Sequence, residues 1–264
     1  MKLLFPALVT PVLIALSSTQ VLAAIQTRTI EYKHGDTVLE GYLAFDDSIP
    51  GKRPGVLVVH EWNGLQSFVK ERTEELAKLG YVAFAVDIYG KGIRPNNAEE
   101  SGKQASIYRQ DRQLLRQRTL AGLKVLRQNP LTDIQRIAAI GYCFGGGTVL
   151  ELARSGANIA GVASFHGNLD TPNPNDAKNI QAKVLVLHGA DDPIVPDEEV
   201  QAFATEMREA NVDWQLISYG GAVHSFTNPE ANNPPRSLYN PVVEKRSWQA
   251  LKQFFAEIFQ KPKS

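Results

Sequence analysis

Cysteine is nearly absent from this chain of 264 residues. Cys143 stands alone, which excludes an internal disulfide and any metal or iron–sulfur site built on several thiolates. Net charge is absent too: Lys plus Arg and Asp plus Glu number 28 each, so nothing favours a nucleic-acid partner, whose binding needs a concentrated basic face. No apolar run is long enough for a comfortable membrane span. No G-x-S-x-G occurs, so no serine competes for a nucleophile's position, and five dispersed histidines with no H-x-x-x-H pair make a poor zinc site. What the chain has is 43% apolar residues, enough to fill a core and to exclude disorder.

Residues 1–23 have the layout of a secretory signal peptide. Lys2 precedes an apolar stretch broken by Pro6 and Pro11, and Val21 and Ala23 supply the small side chains a signal peptidase reads. Cleavage is expected near Ala23, giving a periplasmic or secreted mature protein with one unpaired thiol in an oxidising compartment. A retained N-terminal anchor is the alternative.

From about residue 27 the pattern reads as one α/β domain without repeats or low-complexity linkers. Residues 27–33 and 38–45 alternate as a hairpin around His34-Gly35-Asp36. Continuous apolar runs at 55–60, 81–86, 137–140, 159–163 and 184–187 predict strands covered on both faces, and a further strand is expected near Trp214 to Tyr219. Between them lie amphipathic helices, one presenting Val200, Phe203, Ala204 and Met207, another Trp248, Leu251, Phe255 and Ile258, with a third expected to run from Ala98 to Leu126. Such alternation predicts a mostly parallel sheet flanked by helices on both faces, with ligands beyond the carboxyl ends of the strands.

At one such strand end stands Gly141-Tyr142-Cys143-Phe144-Gly145-Gly146, running into a helical stretch. It has the form of the G-x-S-x-G nucleophile elbow with sulfur in place of the hydroxyl. Cys143 would then stand at a helix N-terminus, where orphan N–H groups and the helix dipole favour a thiolate. The elbow demands an acid and then a histidine further along, and both are present in that order. His224 is assigned as the base and Asp192, fixed by Pro193, as its orienter; Asp191 stays as the alternative acid. His34 reads as a turn residue. His60, His166 and His188 fall at strand ends but not after the acid, and read as hydrogen-bonded packing residues.

These residues, with Val58-Val59-His60-Glu61-Trp62-Asn63-Gly64, Asp87-Ile88-Tyr89-Gly90 and Gly189-Ala190-Asp191-Asp192-Pro193, resemble the dienelactone hydrolase family of α/β-hydrolases over nearly all of the mature chain. The resemblance implies the α/β-hydrolase fold, a Cys143–Asp192–His224 triad, an oxyanion hole from the backbone N–H groups of Phe144 and Trp62, and a role for Glu61 as the carboxylate that pairs with the resting thiol. It implies hydrolysis of an ester or lactone and no cofactor. The two arginines that hold the substrate carboxylate in the family correspond here to Lys91 and Asn228, which argues against dienelactone as the substrate. Arg94 and Arg236 are the replacement cations to weigh, each otherwise a solvated loop residue. Trp62, Tyr89, Tyr142 and Phe226 are candidates to line the pocket, and the loops 90–101 and 228–241 to set specificity. The partner expected is a small molecule, and the protein itself a monomer or small homo-oligomer. The contrasting expectation is an exported redox-responsive or non-catalytic binding protein on the same fold.

Overall fold

A computed structural model describes residues 25–260, so the expected leader lies outside the described residues. The chain enters its sheet through the expected hairpin, β1 (Ile25–His34) and β2 (Thr37–Asp46), whose register ends on the His34–Thr37 pair. Gly35 takes φ +56° there, as a two-residue hairpin turn requires. β2 pairs antiparallel with β4 (Val82–Val86); from β4 onward every neighbour is parallel. With β3 (Arg53–Val59), β5 (Thr132–Tyr142), β6 (Gly161–Phe165), β7 (Lys183–Gly189) and β8 (Trp214–Tyr219), the eight-stranded order is β1-β2-β4-β3-β5-β6-β7-β8.

The parallel strands are apolar throughout because both faces are covered. Along β3, Val56 and Val58 join one core cluster while Leu57 and Val59 join the other, the period-two alternation of a pleated strand. The first cluster includes Leu76 of α1 (Ser67–Lys78) and Leu251 and Phe255 of α6 (Pro241–Ile258). The second includes Leu123 of α3 (Arg112–Gln128), Leu152 of α4 (Phe144–Arg154) and Phe203 of α5 (Asp197–Glu209). No helix among the described residues is long and apolar enough to cross a membrane.

The single helix expected over 98–126 is two helices. α2 (Ala98–Gln110) stops at Asp111, whose side chain accepts from the Leu114 backbone N–H at 2.8 Å and caps α3. A side-chain acceptor in an otherwise helical pattern competes with the backbone ladder and restarts it. Boundaries elsewhere differ by a few residues; the strand expected at 159–163 is Gly161–Phe165.

One buried charge is held by a network. Arg154 on α4 is 1% exposed, and its guanidinium bonds Glu151 at 2.9 Å, Glu206 at 2.7 and 2.8 Å and the Leu169 carbonyl at 2.9 Å. Removing one partner from a buried charge costs more than the pair contributes, because the remaining charge stays desolvated. Glu206→Ala is expected to lower unfolding stability by about 3 kcal/mol in urea denaturation. An unchanged midpoint would contradict this account of Arg154.

Candidate active site

The carboxyl ends of β3, β5 and β7 and the turn after β8 bring Glu61, Cys143, Asp192 and His224 to one rim of the sheet. Cys143 follows β5 directly and takes φ +53°, ψ −116°, a conformation L residues rarely hold. The turn is so tight that a Cβ on Gly141 would fall 1.9 Å from the Gly145 carbonyl oxygen, and a Cβ on Gly145 would fall 2.3 Å from that of Val59. Glycine on both sides of the cysteine is thus a steric requirement. The Cys143 N–H donates to the Phe165 carbonyl at 3.0 Å and to His166 Nδ1 at 3.2 Å.

His224 Nε2 lies 3.1 Å from Cys143 Sγ, and its Nδ1 lies 2.7 Å from Asp192 Oδ2. Asp192, 5% exposed, also accepts the Ile194 N–H on Oδ1 at 2.8 Å, while Asp191 is exposed. The carboxylate therefore accepts a hydrogen bond from Nδ1–H and turns Nε2 toward the sulfur. Burial pulls the His224 pKa down, but the Cys143 sulfur and the Asp192 carboxylate outweigh it and lift the imidazole to about 10.

Glu61 is brought to the same rim, but its Oε2 accepts from Asn228 Nδ2 at 2.7 Å, and Cys143 is paired with His224 instead. His60 Nδ1 donates to the Glu61 carbonyl at 2.6 Å and its Nε2 accepts the Ile88 N–H at 3.3 Å. Burial lowers the His60 pKa to about 4, so the ring is a neutral strut beneath the rim. Neither the Trp62 nor the Phe144 backbone N–H has an acceptor among the described residues: Phe144 opens α4, whose first-turn donors lack intrahelical partners, and Trp62 lies in the turn after β3.

A cleft of about 460 Å³ opens over the sulfur, lined in part by Trp62, Cys143, His224, Arg109 and Arg236. Several sequence candidates do not reach it. Lys91 is exposed and pairs with Glu31 on β1. Arg94 folds onto its own loop, donating to the Ile93 and Gly90 carbonyls at 2.8 and 3.1 Å and facing Asp87. Phe226 is fully buried against His166, and Tyr89, 2% exposed, donates to the Trp62 carbonyl from below. Tyr142 is packed on Phe165. Of the four aromatic candidates only Trp62, 38% exposed, lines the cleft. Arg236 reaches it because its loop is fastened to the His224 segment, the Leu238 N–H donating to the His224 carbonyl at 3.1 Å. Arg109 was not singled out from the sequence: among the several arginines of α2 and α3, nothing local marks the one that shares a cleft with Cys143.

Residues 39–259 match the dienelactone hydrolase family. The chain belongs to that family. Among solved structures it is similar to a dienelactone hydrolase-like promiscuous phosphotriesterase from metagenomic libraries, at 42% identity and a TM-score of 0.87, covering 90% of this chain and 100% of that one. Curated relatives include a putative carboxymethylenebutenolidase of Synechocystis, 27% identical over 88% of this chain and 96% of its own length. Another is a probable 2-oxo-3-(5-oxofuran-2-ylidene)propanoate lactonase of Bradyrhizobium, 25% identical over 76% of this chain and 82% of its length. The architecture is that of an α/β-hydrolase, in a hydrolase family. The non-catalytic, redox-responsive alternative is not favoured by these likenesses.

Glu61 is 6% exposed, and desolvation raises its carboxyl pKa despite the Asn228 bond and the neighbouring His224. A carboxyl with a raised folded-state pKa binds more protons folded than unfolded across the window above the ordinary carboxylate range, so stability falls as pH rises through that window. Glu61→Gln is expected to raise the urea midpoint at pH 8 relative to wild type and to leave it unchanged at pH 4. Equal effects at both pH values would contradict this.

Proposed function

We propose that the protein is a cysteine hydrolase of carboxylic ester or lactone bonds, with Cys143 as nucleophile, His224 as proton shuttle and Asp192 as the acid that orients it. The 3.1 Å approach of His224 Nε2 to Cys143 Sγ, with Nδ1 on Asp192, carries this reading. The sulfur, as thiolate with its proton on His224, attacks the carbonyl carbon. The oxyanion that forms is received by the Phe144 and Trp62 N–H groups. Collapse breaks the C–O bond, His224 gives its proton to the leaving oxygen, and a thioester remains on Cys143. Water then attacks the thioester while His224 takes a proton from it, releasing the acid and restoring the thiolate. For a lactone the leaving oxygen stays tethered to the acyl chain.

The cleft points to the substrate class. Among the described residues, two guanidiniums, Arg109 and Arg236, face it and no carboxylate lines it. Arg109 spends one donor on Asn168 Oδ1 at 2.8 Å; the Arg236 guanidinium has no partner among the described residues. An acyl or leaving group bearing a negative charge meets complementary donors there. The likeness to a phosphotriesterase favours a second reaction at the same sulfur, displacement at the phosphorus of a neutral phosphotriester. The leader reading, carried forward, makes this an exported enzyme. Protein recovered from the periplasm of an expressing bacterium then begins near Ala24, and an intact Met1 would contradict export.

Paired chromogenic esters, neutral and carboxylate-bearing, with lactones and a phosphotriester beside them, test both parts. Cys143→Ala is expected to remove turnover by at least about 1,000-fold while the protein stays folded. Arg236→Gln is expected to raise KM for the carboxylate-bearing ester about tenfold and leave the neutral ester unchanged, the loss of a charge-assisted contact made equally in ground and transition states. Turnover surviving in Cys143→Ala overturns the nucleophile assignment. Equal loss on both esters overturns the anionic one.

A further inference from the structure

His166 follows β6 directly at φ +39°, and none of its surface is exposed. Both ring nitrogens are engaged. Nδ1 lies 3.2 Å from the Cys143 backbone nitrogen and Nε2 lies 2.7 Å from Thr227 Oγ1. A backbone N–H only donates, so Nδ1 must present its lone pair, and the single ring proton is on Nε2, donated to the Thr227 hydroxyl. The ring is thus a neutral imidazole of one tautomer. Burial and the charge of His224, whose ring centre is 5.2 Å away, both push the His166 pKa well below its ordinary value and keep it so.

Thr227 lies three residues after His224 and is clamped from two directions. Its carbonyl accepts from Arg72 Nη2 at 3.1 Å, and Arg72 is itself held by Glu75 and Glu244 at 2.8 and 2.9 Å. Its hydroxyl is held by His166. The loop that carries His224 is therefore pinned to α1 by Arg72 and to the end of β6 by His166. The opposite edge of the same imidazole bears on the peptide nitrogen of Cys143. Among the described residues, no other side chain is hydrogen-bonded both to Cys143 and to a residue that follows His224 on its loop.

We infer that His166 is a positioning residue of the hydrolytic site, its Nδ1 acceptor and Nε2 donor tying the Cys143 backbone N–H to the Thr227 hydroxyl and so setting the distance between sulfur and base. The inference rests on the reading of Cys143 and His224 as nucleophile and base. His166 does not line the cleft and acts through those two residues. Because Phe165 O also accepts the Cys143 N–H, at 3.0 Å, losing the imidazole displaces the elbow without leaving that donor unsatisfied.

The two edges of the ring are separable by substitution. His166→Asn keeps an acceptor near the Nδ1 position, His166→Gln keeps a donor near Nε2, and Thr227→Val removes the hydroxyl at constant shape. Thr227→Ser is the restoring variant. Two readouts are compared in folded protein: kcat and KM on the best chromogenic ester, and the rate of Cys143 alkylation by iodoacetamide at pH 6, which needs no substrate. Thr227→Val is expected to lower kcat and the alkylation rate about tenfold each with KM unchanged, the scale of a sub-ångström misplacement of reacting groups. Thr227→Ser is expected to return both to the wild-type level, and His166→Gln and His166→Asn to show losses of the same kind. Wild-type kcat and wild-type alkylation in Thr227→Val and in both His166 variants, with only the melting temperature lowered, overturn the inference. If Cys143→Ala retains turnover, the nucleophile reading fails separately, and the alkylation rates still report whether His166 positions the pair.

Discussion

The backbone of Cys143, held at φ +53° between Gly141 at the end of β5 and Gly145 in the first turn of α4, is the constraint from which the rest of the site follows. Strand β5 can turn straight into α4 only if residues 141 and 145 have no side chain, since each Cβ would overlap a carbonyl group. The turn lifts the sulfur above the sheet, puts the open N–H groups of the α4 first turn beside it, and directs the Cys143 N–H to Phe165 and His166 at the end of β6. Strain of this kind persists only where packing over-determines it, and α4 is buried along its whole length.

Electrostatics around the sulfur divide the buried histidines by role. His60 and His166 each offer one lone pair to a backbone N–H, and burial holds both neutral. His224 is as deeply placed, yet it faces a carboxylate on one nitrogen and a sulfur on the other, and these raise it against the cost of burial. Three imidazoles in one low-dielectric region thus differ because of what each nitrogen meets. Glu61 completes the rim as a carboxyl raised by desolvation and restrained by Asn228.

Much of this was legible in the sequence because buried parallel strands leave continuous apolar runs and because the elbow is a local motif with a steric cause. The glycines around Cys143 and the order of acid and histidine need no tertiary knowledge. Choosing between Asp191 and Asp192 does need it, since adjacent residues differ only in which one the turn before Pro193 points inward. The break at Asp111 was hidden because a capping carboxylate inside a charged helical stretch looks like one more solvated residue. Lys91 and Asn228 occupy positions where the family places cations, but their partners, Glu31 on a distant hairpin and Glu61 after β3, are set by the fold. For the same reason the cations that do face the cleft, Arg109 and Arg236, come from a helix end and a loop that carry no motif.

The central claim is that carbonyl carbon becomes bonded to Cys143 sulfur during turnover. The most direct measurement is intact-mass analysis of protein quenched within milliseconds of mixing with a turned-over ester, followed by peptide mapping. The account predicts a mass increase equal to the acyl group, located on Cys143 and persisting longer in His224→Gln, where water lacks its base. Steady turnover with no adduct on Cys143 in either protein, or an adduct on another residue, would contradict it.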